Sequence, residues 1–290
     1  MKVTGFTIVR NAVLYDYPVV ESILSILPLV DEFVVSVGQS EDGTLELIRS
    51  IQSEKIRIVQ SHWDDKLRSG GSILAIETDK AFQAISPDTD WAFYLQADEV
   101  VHEKYHPAIR AAMEQYCSDQ HIEGLLFKYL HFYGNYDHVG DSRRWYDREI
   151  RIIRNDPAIK SYRDAQGFRK NGEKLRVKPI EAYIYHYGWV KHPEKQKLKR
   201  ENFGIFWSED QEKEFQKEVK DIFDYTGDFD SLDRFTGTHP NVMKERIAQK
   251  NWDVQLDISR KNMPFKYRVL HFIEKKFGKR LFAYRNYRVV

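Results

Sequence analysis

The chain has 290 residues, of which 42% are hydrophobic and 31% charged, a balance typical of globular rather than disordered or fibrous proteins. This length suffices for one full-sized domain with appendages, because a second complete core would need more chain. The only cysteine, Cys117, excludes an internal disulfide framework and a zinc site built from several cysteines.

The N-terminal third alternates between strand and helix patterns. Runs rich in β-branched and aromatic residues predict strands at 3–9, 33–37, 56–59 and 91–95. Apolar residues at helical spacing predict helices at 18–27, 44–51 and 71–85. Strands that alternate with helices at this spacing form βαβ units with right-handed crossovers. We therefore expect an α/β fold with a Rossmann-like, mostly parallel sheet flanked by helices.

After residue 103 the rhythm changes. The sequence predicts a helix at 106–116 and strands near 124–132, 149–154 and 181–186. The acidic stretch 209–223 is typical of an amphipathic helix, and 225–240, with its glycines and aspartates, is typical of a loop. These patterns predict one α/β domain over 1–204 and a helical C-terminal extension over 205–290.

The end of the chain is strongly basic. Residues 260–290 contain ten Lys or Arg and one acid, Glu274, interleaved with aromatic residues, whereas the rest of the chain is mildly acidic. This pattern suits peripheral contact with anionic lipid or an acidic acceptor, and it also suits a final helix packed on the body with solvated Lys and Arg. No nucleic-acid motif accompanies the charge, so we expect no nucleic-acid partner.

Membrane and export signals are missing from the sequence patterns. No apolar run reaches the roughly 20 residues of a membrane-spanning helix. The N-terminal MKVTGFTIVRN is typical of a strand and lacks the apolar stretch of a signal peptide. We expect a cytoplasmic protein, with peripheral contact at the inner face of the membrane as the hypothesis that 260–290 raises.

The segment WAFYLQADE at 91–99 is the most informative. An apolar strand delivers two adjacent acids, Asp98 and Glu99, to the end of a parallel sheet, where such folds bind ligands. A divalent cation that holds a diphosphate needs hard oxygen ligands at such a place. Alternatively, Asp98 caps a following helix and Glu99 stabilises its positive end. The segment alone leaves both interpretations open.

Residues 91–99 resemble the W-I-L-x-L-D-A-D-E segment of family 2 glycosyltransferases, particularly the branch that builds lipopolysaccharide cores and bacterial surface polysaccharides. Further motifs follow in matching order: TIVRN at 7–11, SEDGT at 40–44, WDD at 63–65 and HYG at 186–188. The resemblance covers about residues 3–204. It implies a GT-A fold, a nucleotide-diphosphate sugar donor, a divalent metal (Mn²⁺ or Mg²⁺) and inversion at the anomeric carbon. It also implies a nucleotide-sugar half at 1–103 and an acceptor half at 104–204.

The resemblance also implies roles for individual residues. Asp98 would contact the metal and the diphosphate, and His186 would complete the metal shell or contact phosphate, because neutral imidazole is a competent ligand. Without the family, a single His at a strand end is more often a structural hydrogen-bonding group. Arg68 is a candidate for a bidentate contact to the diphosphate, and Asp42 could also cap a helix. The expected donor-binding residues are Arg10, Asn11, Asp42, Arg68, Gln96 and Asp98.

Two positions depart from the family pattern. The second strand ends in SVGQ at 36–39, without the Asp that usually holds the base, and Gln96 replaces the first acid of the D-A-D segment. An amide can bind a hydroxyl or a base edge, but it contributes no charge to a cation. These departures motivate an alternative, a catalytically inactive glycosyltransferase-like protein that binds ligands or acts in assembly.

An inverting transfer needs a general base for the acceptor hydroxyl. Asp164 is the first candidate, because its loop lies where the family places acceptor-side acids, and Glu149 and Asp147 come next. Each could instead pair with neighbouring arginines. Arginines 143, 144 and 148 are candidates for contacts with donor phosphates or an anionic acceptor. The resemblance thus implies a hexosyltransferase-like enzyme that moves a sugar from a nucleotide donor to a glycan or lipid-linked acceptor in cell-surface polysaccharide synthesis.

Overall fold

The computed structural model of the protein describes residues 1–67, 70–205, 222–227, 229–278 and 280–290, with the backbone alone for 203–205. The predicted alternation of strands and helices is present in the N-terminal third. Its elements, in chain order, are β1 (Val3–Val9), α1 (Val19–Ile26), β2 (Glu32–Gly38), α2 (Thr44–Arg49), β3 (Ile56–Ser61), α3 (Ser72–Gln83) and β4 (Trp91–Tyr94).

These four strands form a parallel unit in the order β3-β2-β1-β4. Every residue of β1 is buried, because helices cover both faces of the sheet. Alternate residues therefore face different cores. Val9 and Phe93 belong to the core that includes Ile23 of α1, whereas Phe6 and Tyr94 belong to the core that includes Phe82 of α3. The apolar strands predicted from the sequence are thus the centre of the molecule.

The middle of the chain extends this sheet with antiparallel and parallel neighbours. Strand β8 (Arg148–Arg154) pairs antiparallel with both β4 and β6 (Gly124–Tyr133), and β6 pairs parallel with the long β12 (Arg176–Trp189). The short β5 (Glu99–Val101), which follows β4 after one turn, pairs antiparallel with β12. The elements of this part are β5 (Glu99–Val101), α4 (His106–Tyr116), β6 (Gly124–Tyr133), β7 (His138–Gly140), β8 (Arg148–Arg154), β9 (Ile159–Tyr162), β10 (Gly167–Lys170), β11 (Glu173–Lys174), β12 (Arg176–Trp189) and α5 (Pro193–Ile205).

A small separate sheet places the loop that carries Asp164. Strands β9, β10 and β11 pair antiparallel in the order β11-β10-β9. The sheet is fixed beside α3, since the backbone N–H of Ser161 donates to Asp79 at 2.7 Å and Phe168 is fully buried in the core next to α3. The loop between β9 and β10 is therefore anchored at both ends.

The C-terminal region differs from the predicted extension. It contains β13 (Leu232–Arg234), α6 (Lys244–Ala248), α7 (Phe265–Phe277) and β14 (Arg288–Val289). The segment 225–240, predicted as a loop, contains β13, which pairs with β7. The helix predicted at 209–223 lies almost entirely outside the described residues. The sequence missed β13 and β14 because two or three residues show no periodicity, and their partners are distant in sequence.

The basic tail packs on the body of the protein. Glu274 of α7 accepts a hydrogen bond from Arg143 at 2.8 Å, and β14 pairs parallel with β12. The aromatic side chains Phe265, Phe272 and Phe277 of α7 are nevertheless exposed. Within the described parts of the chain, no helix has the length and apolar character to cross a membrane.

Candidate active site

A cavity of about 450 Å³ opens at the carboxyl ends of the parallel strands. From the sheet, the cavity is lined by residues 8–10 at the end of β1, Tyr94 at the end of β4, residues 96–98 after β4, and Trp63 after β3. Residues of β12 and α5 complete the lining. Its size is in the range of small-molecule sites, about 300–1,000 Å³. The predicted location at the strand ends is thus the location of a real cavity.

Asp98 lies on the wall of this cavity and is nearly buried, with 8% exposure. Its Oδ2 accepts a hydrogen bond from Lys199 at 3.0 Å, and its Oδ1 lies 3.6 Å from Nε2 of His186. Burial alone would raise the pKa of Asp98, but Lys199, His186 and Lys191 outweigh it and hold this pKa well below its usual range. Asp98 is therefore an ionised carboxylate in a cationic setting.

Gly188 permits the close approach of Asp98 and His186. A Cβ atom at Gly188 would lie 2.7 Å from both Asp98 Oδ2 and His186 Nε2. No side chain fits there without moving one of the two. The space between Asp98 and His186 thus explains on steric grounds why the HYG motif ends in glycine.

The orientation of His186 depends on a second histidine, His131. The Nδ1 atoms of the two rings are 3.0 Å apart, and Nε2 of His131 lies 2.8 Å from the carbonyl oxygen of Tyr146. Because a carbonyl only accepts, His131 must carry a proton on Nε2. Burial, followed by the nearby His186, lowers the pKa of His131 well below its usual value, so its ring is neutral and its Nδ1 accepts. His186 then donates from Nδ1, which leaves the lone pair of Nε2 directed toward Asp98.

Two lysines lie at this end of the cavity, and burial lowers the pKa of the second, Lys191, well below its usual value. Lys199 of α5 lies 3.0 Å from both Asp98 and the carbonyl oxygen of Gly188. Lys191 is fully buried, donates to the Tyr15 carbonyl at 2.7 Å and sits 4.5 Å from the ring centre of Tyr17. The sequence reasoning missed Lys199, Lys191 and His131. A Lys-rich helix and an isolated His on a strand carry no local signal that distinguishes them from their neighbours.

The two adjacent acids of the ADE segment have different environments. Glu99 is completely buried and pairs with Arg151 through two contacts of 2.7 Å, and the Tyr129 hydroxyl also donates to it at 2.8 Å. Strand β5, not a helix, begins at Glu99, so the helix-cap interpretation of Asp98 is wrong. The buried ion pair anchors the turn that points Asp98 into the cavity.

Two of the expected donor-binding residues besides Asp98 line the cavity. Arg10 is paired with Asp65 and donates to the carbonyl of Gln39 at 3.1 Å. Gln96 projects its amide toward the Ala165 carbonyl at 3.5 Å, which brings it against the Asp164 loop. Arg10 thus brings a positive charge to the cavity, and Gln96 brings a neutral amide that can both donate and accept hydrogen bonds.

The other expected donor-binding residues are placed differently. Asn11 accepts from the backbone of Glu41, and Asp42 accepts from Leu14 and Thr44, so both hold the loops after β1 and β2 together. Neither is part of the cavity lining. Arg68 lies outside the described residues.

The three candidate bases divide between two neighbouring depressions. Asp164 lines the cavity, and burial raises the pKa of its carboxyl. Glu149 and Asp147 line an adjoining groove instead. Asp147 lies 3.8 Å from both Arg148 and Arg280, the pairing with arginines that the sequence left open.

The described residues contain no group of three or more His, Cys, Asp or Glu side chains that could hold a metal by themselves. Asp98 and His186, the two metal ligands implied by the motif resemblance, both line the cavity, with 3.6 Å between Oδ1 and Nε2.

The parallel strands, the flanking helices and the cavity at the strand ends are consistent with the GT-A, Rossmann-like class of α/β folds. No protein-family model and no curated protein sequence matches the chain.

Several solved structures show a distant similarity. S. aureus TarS is 17% identical over 71% of this chain and 43% of its own, with a TM-score of 0.41. Glucosyl-3-phosphoglycerate synthase from Mycobacterium tuberculosis, in complex with Mn²⁺, UDP and glucosyl-3-phosphoglycerate, is 20% identical over 46% of this chain and 45% of its own, with a TM-score of 0.31. A 4-diphosphocytidyl-2C-methyl-D-erythritol synthase from Anaerococcus prevotii is 11% identical over 66% of this chain and 90% of its own, with a TM-score of 0.37. The chain thus spans less than half of TarS and of the glucosyl-3-phosphoglycerate synthase.

Proposed function

We propose that this protein is a glycosyltransferase that moves a sugar from a nucleotide-diphosphate donor to a hydroxyl of a glycan or lipid-linked acceptor. The observation that carries the proposal is the placement of Asp98, between Lys199 and His186, on the wall of a cavity at the carboxyl ends of parallel strands. A departing diphosphate develops negative charge, and a fixed cation such as Lys199 stabilises it at this place.

The cavity supplies contacts of the kinds that a nucleotide sugar needs. Trp63 and Tyr94 offer aromatic surface near the strand ends, and Gln96 offers an amide for a hydroxyl or a base edge. Lys199 and Arg10 lie on the same lining and suit the diphosphate. We therefore place the donor in the half of the domain formed by 1–103, with β12 and α5 closing over it.

Asp98 and His186 fit a divalent cation such as Mn²⁺ or Mg²⁺. The His131 relay leaves the lone pair of His186 Nε2 facing a carboxylate oxygen 3.6 Å away, an arrangement that a cation between them would stabilise. Two protein ligands are enough when phosphate oxygens and water complete the shell. Bound there, the cation would neutralise charge on the diphosphate.

Asp164 suits the role of general base. It lines the same cavity as Asp98, and its raised pKa brings the carboxylate closer in basicity to the proton it must take. In the proposed inverting step, the acceptor oxygen forms a bond to the anomeric carbon while the bond to the diphosphate oxygen breaks. The electron pair of that bond leaves with the nucleoside diphosphate, and the hydroxyl proton passes to Asp164.

The wider assignment rests on the motif resemblance of 3–204. It supports a hexosyl donor, an acceptor half at 104–204 and a role in cell-surface polysaccharide synthesis of the lipopolysaccharide type. Peripheral membrane contact through 260–290 is part of the same proposal, supported by the basic charge and the exposed aromatic side chains of α7.

The test is calorimetric titration of UDP-, GDP-, CMP- and dTDP-sugars into the full chain, with and without Mn²⁺, for the wild type and Asp98→Asn. We expect one donor to bind in a Mn²⁺-dependent manner and its affinity to fall at least about tenfold in the variant, since a charge-assisted contact is lost. Glu46→Asn, at an exposed acid of α2, is the matched control. A folded wild type that binds no donor would refute the proposal, and binding without turnover would favour the inactive, ligand-binding alternative.

A further inference from the structure

A second depression, which we call the arginine groove, adjoins the cavity. It has a volume of about 330 Å³, and Tyr146 and Gln166 line both spaces. The groove is lined by residues 143–149 and, from the basic tail, by residues 280, 282–284, 286 and 287. The groove therefore starts where the proposed donor cavity and the Asp164 loop end, which is where an acceptor must approach.

The floor of the arginine groove carries buried polar atoms without partners. Among the described residues, Oε2 of Glu149 and both amide atoms of Asn286 make no hydrogen bond, although these side chains are only 3% and 4% exposed. Folded proteins rarely leave such atoms unsatisfied, because desolvating them without a partner is costly. Hydroxyl groups of a bound ligand would satisfy a carboxyl and an amide together.

A glycine keeps this floor open. A Cβ atom at Gly167 would collide with the amide nitrogen of Asn286 and lie 3.3 Å from Oε2 of Glu149. The backbone conformation at Gly167 is an ordinary strand, so the requirement is for space and not for an unusual dihedral angle. The packing thus holds Asn286 and Glu149 side by side without filling the space between them.

One arginine of the groove keeps its charge available. Arg143 and Arg280 are both committed to Glu274, at 2.8 and 3.4 Å. In contrast, the guanidinium of Arg148 makes no hydrogen bond within the described part of the chain, and its nearest acid is Asp147 at 3.8 Å. Arg148 can therefore receive a carboxylate or a phosphate.

Aromatic rings from the tail complete the walls. Phe282 is 90% exposed and Tyr284 is 64% exposed, and both line the groove. Exposed rings next to polar groups are typical of carbohydrate sites, because the apolar face of a sugar ring packs on an aromatic face while its hydroxyls reach polar side chains. The groove offers both kinds of surface at once.

We propose that the arginine groove is the acceptor site and binds a sugar that carries a carboxylate or phosphate group. Glu149 and Asn286 contact its hydroxyls, Arg148 receives its negative charge, and Phe282 or Tyr284 packs on its ring. The reacting hydroxyl then points past Tyr146 and Gln166 toward Asp164. This assignment rests on the proposed glycosyl transfer, because only transfer requires an acceptor next to the donor.

The experiment measures the binding of glucuronate, glucose 6-phosphate and glucose to the full chain in the presence of UDP, by saturation-transfer NMR. We expect both anionic sugars to bind at least about fivefold tighter than glucose, since only they engage Arg148 through a charge-assisted contact. Arg148→Met should remove that preference. Glu149→Gln and Asn286→Asp, which keep the side-chain shape, should weaken the binding of all three sugars. The control is Arg49→Met, at an exposed arginine with a similarly loose ion pair of 3.9 Å to Glu46.

The outcomes separate this inference from the proposed function. In one outcome, UDP-sugars bind, but the anionic sugars either bind no tighter than glucose or do not bind at all. The acceptor assignment is then overturned, and the proposed function stands. If the anionic preference is present and Arg148→Met leaves it unchanged, the assignment is also overturned. If the sugars bind as expected while every nucleotide sugar fails to bind, the proposed function fails, and the groove remains a site for anionic carbohydrate.

Discussion

Two nearly buried carboxyl groups, Asp98 in the cavity and Glu149 in the arginine groove, have pKa values that shift in opposite directions. Asp98 is 8% exposed, and its pKa is held well below the usual range despite the burial, because Lys199 and His186 lie against it. Glu149 is 3% exposed, and burial raises its pKa from 4.5 to about 8, although Arg151 opposes the rise.

The two pKa values differ because, among the residues that the structure describes, the neighbouring cationic side chains contact Asp98 but not Glu149. Arg151 is completely buried and donates two hydrogen bonds of 2.7 Å to the carboxylate of Glu99, so it does not pair with Glu149. Lys199 reaches Asp98 directly at 3.0 Å. A cation in direct contact favours the ionised form of a buried acid, whereas burial without such a contact favours the neutral form. The cavity, which holds Lys199, is therefore suited to a ligand with a negative charge. The floor of the groove, where Glu149 has no paired cation within the described part of the chain, is suited to ligand hydroxyl groups.

Removing Arg151 tests the comparison most severely. Arg151→Met should lower the free energy of unfolding by about 3–5 kcal/mol, because Glu99 is left as an unpaired buried charge. Denaturant unfolding measures the change. The double variant Glu99→Gln with Arg151→Met should recover part of the loss. Arg57→Met, which breaks an exposed pair with Glu32, should cost less than about 1 kcal/mol. Equal losses for the two arginines would contradict the assigned role of the buried pair.

The raised pKa of Glu149 predicts a pH dependence of stability. Below pH 4.5, both folded and unfolded states hold the proton, and between 4.5 and about 8 only the folded state does. The free energy of unfolding should therefore fall as pH rises through this window, by about 1.4 kcal/mol per pH unit, and level off above it.

Glu149→Gln should lack this component, so we expect the wild type to lose about 3 kcal/mol relative to the variant between about pH 5.5 and 7.5. Urea unfolding at a series of pH values measures the difference. The charged neighbours are Arg151, Glu99, Asp164 and Asp147. A wild-type curve parallel to that of the variant would mean that Glu149 is ionised and has a partner.

Replacing Lys199, the cation next to Asp98 in the cavity, tests the other half of the comparison. If the proposed function holds, Lys199→Met should weaken binding of the nucleotide sugar by roughly 10- to 100-fold, because the proposed charge-assisted contact to the diphosphate is lost. Calorimetry with the donor found in the first screen measures the change. Lys195→Met, on the same helix, is the matched control. An unchanged donor affinity would show that Lys199 serves Asp98 alone.

His131 should give the smallest effect. His131→Phe removes the acceptor that fixes the ring of His186, and the affinity for Mn²⁺ in the presence of UDP should fall by about tenfold, at the lower end of what outer-shell partners contribute. The Mn²⁺ concentration needed for half-maximal UDP binding is the measurement. His121→Phe, at an exposed position, should leave it unchanged. If UDP binding needs no Mn²⁺ in the wild type, the metal pair Asp98 and His186 is refuted.

The sequence alone determined the parallel half of the fold and the edge of the sheet at which the cavity lies. The apolar strand 91–95 and the motifs at 7–11 and 186–188 are local patterns, and the ends of parallel strands must meet at one edge of a sheet. The motif resemblance, in addition, implied that Asp98 and His186 belong to one site, and Oδ1 of Asp98 lies 3.6 Å from Nε2 of His186.

Only the tertiary structure decided how each charged group is used. Asp98 and Glu99 are neighbours in sequence, yet one faces the cavity and the other pairs with Arg151, which lies on a different strand. Lys199 and Asn286 reach their places from segments far along the chain. A local pattern specifies an element and its faces, whereas a partner from a distant segment is fixed by packing, and that packing decides which charges in this protein are neutralised and which are left for a ligand.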